Sequence, residues 1–132
     1  FLTIDIRHPD DAVLSKMDQA IRDGVQRIAS EGGLSFDLEQ IFYYAPVPFD
    51  QSCVEAVDGA AQSCGYSARK IVTGAGHDAC FIAHAAPTSM VFIPCIDGIS
   101  HNEVEDIEPE WSTAGANVMF RAILSKAGHA DG

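Results

Sequence analysis

The sequence changes its period twice before residue 44, and that narrows the fold more than any other feature. Leu2, Ile4 and Ile6 alternate with Thr3, Asp5 and Arg7, the period of a half-buried strand. His8-Pro9-Asp10 breaks the alternation and offers Asp10 as a helix N-cap. Val13, Met17, Ala20, Ile21, Val25 and Ile28 then recur at helical spacing up to Gly32-Gly33, a stop signal. Leu34, Phe36 and Leu38 alternate with Ser35, Asp37 and Glu39, a second strand pattern. Residues 1–44 therefore read strand, helix, strand, which is half of a ferredoxin-like βαββαβ unit.

Ala45-Pro46-Val47-Pro48-Phe49-Asp50 is the natural boundary, since two nearby prolines favour an extended connector. Residues 45–132 form the second domain of the expected organisation. There the spacing predicts a helix over about 51–64, stopping at Gly65, and a short strand from Arg69 to Thr73 that enters the Gly74-Ala75-Gly76 turn. A helix is expected over 78–85. Met90-Val91-Phe92-Ile93-Pro94 is a continuous apolar run, as in strands covered on both faces. The last helix is expected to begin near Pro109 or Ser112, to turn Ala116, Met119, Phe120, Ile123 and Leu124 inward, and to end at Gly128. Alternation of this kind predicts the α/β class.

The formal net charge of -11 excludes a nucleic-acid or anionic-membrane binder, because both need clustered Lys and Arg. No apolar run approaches the roughly 20 residues that span a bilayer. No charged-then-apolar leader opens the chain, so a cytoplasmic location is expected. The four cysteines, Cys53, Cys64, Cys80 and Cys95, include no C-x-x-C pair, which argues against a zinc knuckle. Cys53 and Cys64 read as small packed thiols in a helix. The chain opens at Phe1, inside a strand-like run, so a piece of a longer protein is expected.

Three places carry candidate chemistry. Gly74-Ala75-Gly76-His77-Asp78-Ala79 lies between a strand pattern and a helix pattern, where α/β sheets bind ligands and glycines admit close backbone approach. The plainer alternative is a helix start, with Asp78 as the cap and His77 incidental. Gly98-Ile99-Ser100-His101 follows the apolar run. An imidazole there suits a metal, and Glu105, four residues on, can orient the ring. A surface histidine is the alternative. Arg7, at the end of the first run, can hold a carboxylate in bidentate fashion or can simply pair with an acid of this acidic chain.

Taken in order, Asp5-Ile6-Arg7-His8-Pro9, Pro46-Val47-Pro48-Phe49, Thr73-Gly74-Ala75-Gly76-His77-Asp78-Ala79, Pro87-Thr88-Ser89-Met90-Val91-Phe92-Ile93-Pro94, and Gly98-Ile99-Ser100-His101 with Glu105 resemble the amidase/carbamoylase branch of the M20 metallopeptidases. That branch includes N-carbamoyl-L-amino-acid hydrolases, allantoate amidohydrolases and beta-ureidopropionases. The resemblance implies a longer cytoplasmic homodimer that hydrolyses linear C–N amide bonds of ureido acids. It has a catalytic α/β domain with two divalent metal ions (zinc foremost, manganese or nickel as alternatives) and an inserted lid.

By that layout residues 1–44 correspond to the tail of the lid and 45–132 to the returning part of the catalytic domain. His101 matches a metal ligand and Arg7 the arginine for the substrate carboxylate. Gly74, Ala75, Gly76 and His77 match the substrate-contacting turn, while Asp78 and Glu105 take supporting positions. Thr73 and Cys95 stand where serine is common. No general base is expected within the chain, so the chain alone is expected to be inactive, and apolar surface that the rest of a longer protein would cover is expected to make it self-associate. The alternative is a standalone, non-catalytic module that binds a small carboxylate or pairs with itself.

Overall fold

In the computed structural model, which describes residues 1–128, the helix expected after Asp10 is α1, Asp11–Gly32. Its ends follow from local chemistry. The Asp10 carboxylate accepts the Val13 N–H at 3.1 Å, satisfying one of the free donors of the first turn. Gly33 closes the helix at φ 62°, a left-handed conformation that glycine adopts without a Cβ penalty. Along the helix Asp18 accepts from Arg22 at 2.8 Å and Glu31 from Arg27 at 3.2 Å, both at helical i,i+4 spacing. Leu14 and Ala29 are buried, and Val13, Met17, Ile21 and Val25 are half-buried, whereas Ala20 and Ile28 face solvent. The Tyr43 hydroxyl donates to Asp11, tying the later part of this unit to the start of α1.

The chain divides into two units, residues 1–48 with 72–75, and residues 49–71 with 76–132. Within the second, α2 (Gln51–Ser63) and α4 (Pro109–Ala127) pack on each other. α2 is capped by Asp50, whose carboxylate accepts the Cys53 N–H at 2.9 Å. The Asp50 N–H itself donates to the Thr88 carbonyl at 3.0 Å. Gly65 follows α2 at φ 74°. The buried residues of the pair are small, Ala60 and Ala61 from α2 against Val118 and Ala122 from α4, with Val57 and Val91 packed around them. Small side chains let the two backbones approach closely, and such a contact leaves little room for added atoms. Gly115 extends the same stripe. A Cβ placed on it would lie 2.5 Å from Ile93 Cγ2, so glycine is what allows Ile93 to lie against α4.

Two expectations are not met within the described residues. Ala116, Met119, Phe120, Ile123 and Leu124 are exposed, and the packed stripe is Gly115, Val118 and Ala122. α4 carries apolar residues on more than one side, so periodicity alone finds two stripes. The Ala60–Ala61 surface of α2 selects the small one. Residues 1–7, 34–39, 69–73 and 90–94, read as strands, form no β-ladder among the described residues, whose regular elements are all helical. Alternation marks which face of a run is apolar, but a strand exists only where a second backbone edge supplies the ladder. The α/β layering and the half ferredoxin-like unit are therefore not formed as sheets in residues 1–128. No helix among these residues is long and apolar enough to cross a membrane.

Candidate functional site

The residues singled out by sequence fall into three local groups, one in the first unit and two in the second. In the first, the Arg7 guanidinium grips Asp5. Nε donates to both carboxylate oxygens at 3.1 and 3.2 Å, and Nη2 donates to one of them at 2.6 Å. Nη1 donates to the Gly74 carbonyl, bringing together positions 67 residues apart. The turn is held from within as well, since the Ala75 N–H donates to Thr73 Oγ1 at 3.1 Å. Arg7 hydrogen bonds hold the Asp5 carboxyl below the usual carboxylate range. Both side chains are well over half exposed, so the pair is open to exchange with a carboxylate from solution. The acid that pairs with Arg7 is thus its own neighbour two positions back, on the same face of the alternating run.

The second group is built on His77. His77 precedes α3 (Asp78–Ile82) as its N-cap residue and makes no side-chain cap bond. Asp78 lies in the first turn, so the plainer alternative of Asp78 as the cap does not hold. The His77 ring meets the edge of Phe92 at 5.5 Å between centroids and 65° between planes. The helix expected over 78–85 is regular only to Ile82 and continues as turns, with the Ala85 and Ala86 N–H groups both donating to the Ile82 carbonyl. Gly74 and Gly76 are exposed, Ala75 and His77 half-buried.

His101 sits on a loop whose ends are joined where the Ile96 N–H donates to the Asp106 carbonyl at 2.8 Å. Inside it runs a short 3₁₀ turn, Ile96–Gly98, and three residues have left-handed φ: Asp97 at 55°, Gly98 at 70° and His101 at 56°. Non-glycine residues in that region cost roughly 1–3 kcal/mol and persist where neighbouring contacts impose them. Glu105 supplies such a contact. One carboxylate oxygen accepts the His101 backbone N–H at 2.7 Å, and the other faces the Cys95 Sγ at 3.7 Å. Burial pushes the Cys95 thiol up, and the Glu105 carboxylate adds to the rise. Glu105 had been expected to orient the His101 ring, but the bond it makes is to the main chain. Cys95 was missed as a partner because nothing local in the sequence links positions ten apart. Asp5 was legible in principle, since its i,i+2 spacing puts it on the face of Arg7.

A catalytic metal needs about three protein ligands. Among the described residues no three His, Cys, Asp or Glu side chains come together in a way that could hold an ion. His101 offers one imidazole on an exposed loop, so these residues by themselves do not make a metal centre.

Comparison with known proteins fixes the family. Residues 3–125 match the profile of the peptidase family M20/M25/M40. The chain is 47% identical over 125 residues to an N-carbamoyl-L-amino-acid amidohydrolase of Rhizobium meliloti, over 95% of this chain and 30% of that protein. It is 37% identical over 103 residues to an allantoate amidohydrolase of Escherichia coli K12, over 78% of this chain and 25% of that protein. A crystal structure of a hydantoinase/carbamoylase family amidase from Burkholderia multivorans aligns with a TM-score of 0.90 and 67% identity, over 92% of this chain and 29% of its own. The chain thus spans at most 30% of the length of these relatives. With a family match running from residue 3 to residue 125, the chain belongs to the peptidase family M20/M25/M40.

Proposed function

We propose that this chain is part of a longer, metal-dependent amidohydrolase that cleaves linear C–N amide bonds of N-carbamoyl-L-amino acids or related ureido acids such as allantoate or ureidopropionate. The observation that carries it is the likeness over 95% of the chain to an N-carbamoyl-L-amino-acid amidohydrolase. The convergence of Arg7 on the Gly74 carbonyl supports it, because it puts a bidentate carboxylate receptor beside a backbone turn open to a ligand.

In this role the Arg7 fork exchanges Asp5 for the substrate carboxylate. The Gly74–Gly76 backbone, flanked by His77, lines the ureido group and fixes its orientation, and orientation alone contributes a large share of rate. His101 is assigned as one donor to a metal whose remaining ligands lie outside this chain, with two ions per site and zinc foremost. When bound, such ions supply a water nucleophile at neutral pH and polarise the carbonyl. Asp78 and Glu105 support His77 and His101. Residues 1–44 are assigned to a lid that makes a homodimer, and residues 45–132 to an α/β catalytic domain whose strands pair with strands supplied from outside the chain. A cytoplasmic location goes with the same assignment.

The test is hydrolysis of N-carbamoyl-L-amino acids in the presence of zinc or manganese. The 132-residue chain alone is expected to give no turnover, and a longer polypeptide that contains it is expected to give turnover. Turnover by the chain alone overturns the division of the site. Binding of a carbamoyl amino acid without turnover, by a native product whose intact mass is that of these 132 residues, favours a non-catalytic carboxylate-binding module instead.

A further inference from the structure

We propose that Glu105 is a positioning residue that aims the His101 imidazole through the main chain, with the Cys95 thiol as its second anchor. The inference rests on the assignment of His101 as a functional donor, but its geometric part stands apart from that assignment.

Three observations converge on it. Among the described residues His101 is one of two non-glycine residues with positive φ, and in that conformation the direction of its Cα–Cβ bond differs from that of an ordinary extended or helical residue. Its N–H donates to the Glu105 carboxylate at 2.7 Å, a short bond to a charged group. The same carboxylate reaches across the loop to Cys95, at 3.7 Å, next to the point where the Ile96 N–H closes the loop on Asp106. Glu105 therefore links the two limbs of the loop and the backbone of the residue at its tip. The Asn102 carbonyl accepts the Glu105 N–H at 2.9 Å, and the Asn102 side chain accepts the Val104 N–H at 3.1 Å, so the segment that presents the carboxylate is itself held. A loop built this way fixes the direction in which the His101 side chain leaves the backbone before any ligand arrives, which removes part of the ordering cost from binding.

The experiment compares the full 132-residue chain with Glu105→Ala, Glu105→Gln, Cys95→Ser and Cys95→Ala by NMR. The readouts are amide exchange, the HN–Hα coupling and the Cα and Cβ shifts of His101. Glu105→Ala is expected to lower His101 amide protection about tenfold or more and to move its coupling and shifts away from left-handed values, while α2 and α4 amides stay protected. Glu105→Gln, which keeps an acceptor oxygen, is expected to retain the left-handed signature with weaker protection. Cys95→Ser is expected to behave like the unaltered chain, and Cys95→Ala to loosen His101 less than Glu105→Ala does.

Unchanged His101 couplings and protection in Glu105→Ala overturn the proposal. So does a loss of protection spread evenly over α2 and α4, since that marks general unfolding. In the longer hydrolase, Glu105→Ala is expected to lower kcat about tenfold or more with KM little changed, and Glu105→Gln to recover most of it. If the NMR changes appear but no hydrolysis is ever found, the functional assignment fails and the positioning stands.

Discussion

At the scale of single residues, the Asp5–Arg7 pair makes a directional statement about substrate binding. An exposed ion pair is worth little in stability, so it resists exchange weakly. Removing the internal carboxylate with Asp5→Asn frees the guanidinium, and KM for a carbamoyl amino acid in the longer hydrolase is expected to fall a few-fold. Arg7→Lys keeps the charge but loses the planar fork, and is expected to raise KM about tenfold or more. A steady-state comparison of the two variants checks both signs, and a rise in KM for Asp5→Asn would mean that Asp5 aligns Arg7 for its ligand.

Asp50 gives a pH prediction. The Ser52 hydroxyl, then the Cys53 N–H, then the Lys126 ammonium hold its carboxyl below the ordinary Asp value of 3.8. Its folded pKa is depressed, so the cap stabilises fully above that ordinary value and is lost as pH falls through the lower folded value. Thermal melts are expected to show an acid-side loss of a few degrees in the unaltered chain that is smaller in Asp50→Asn, which keeps the cap but carries no charge. Equal acid sensitivity in the two proteins would remove Asp50 from the account.

At the scale of elements, the α2–α4 contact depends on missing side-chain volume. Gly115→Ala should gain about 1 kcal/mol of helix propensity. It should also lose about 1–3 kcal/mol to overpacking against Ile93, whose β-branched side chain has few rotamers to retreat into. The clash is expected to win, giving net destabilisation. In an Ile93→Ala background the same change should become neutral or stabilising, because Cγ2 is gone. Additive effects in that double-mutant cycle would contradict the contact. The helix ends at Asp10, Gly33 and Gly65 were legible because caps and turns are written within a few residues. The packed face of α4 was not, since Phe120 and Ile123 carry as strong an apolar signal as Val118 and Ala122 do. Which stripe is used depends on Ala60 and Ala61, more than fifty positions away. The strand runs form no ladder among the described residues for a related reason: Leu2, Ile4 and Ile6 declare an apolar face but say nothing about which edge they join. The same holds within the site. Arg7 and His101 were legible as chemistry, whereas the partnership of Glu105 with Cys95 and with a main-chain N–H depends on loop closure.

At the scale of the whole molecule, surface area decides what the chain does in solution. It exposes 10224 Å². A compact monomer of 14.1 kDa should expose about 6,700 Å², and even two separate compact bodies of half that mass only about 8,100 Å². The chain's exposed surface exceeds either figure. Much of it is apolar: Phe1, Leu2, Ile41, Phe42 and Leu34 in the first unit, and Phe120, Ile123 and Met119 in the second, are all more than half exposed. Apolar surface on that scale finds a partner. The chain is therefore expected to self-associate, with a light-scattering mass that rises with concentration. Placing charges on the open side of α4, as in Phe120→Asp with Ile123→Asp, should reduce that rise, because neither residue belongs to the buried α2–α4 stripe. If the exposed surface is what the rest of a longer hydrolase covers, the longer polypeptide should lose the concentration dependence and settle at a fixed mass. A monodisperse 132-residue monomer at high concentration would mean that the exposed side chains are tolerated in water, and it would weaken the assignment of the chain to a longer enzyme.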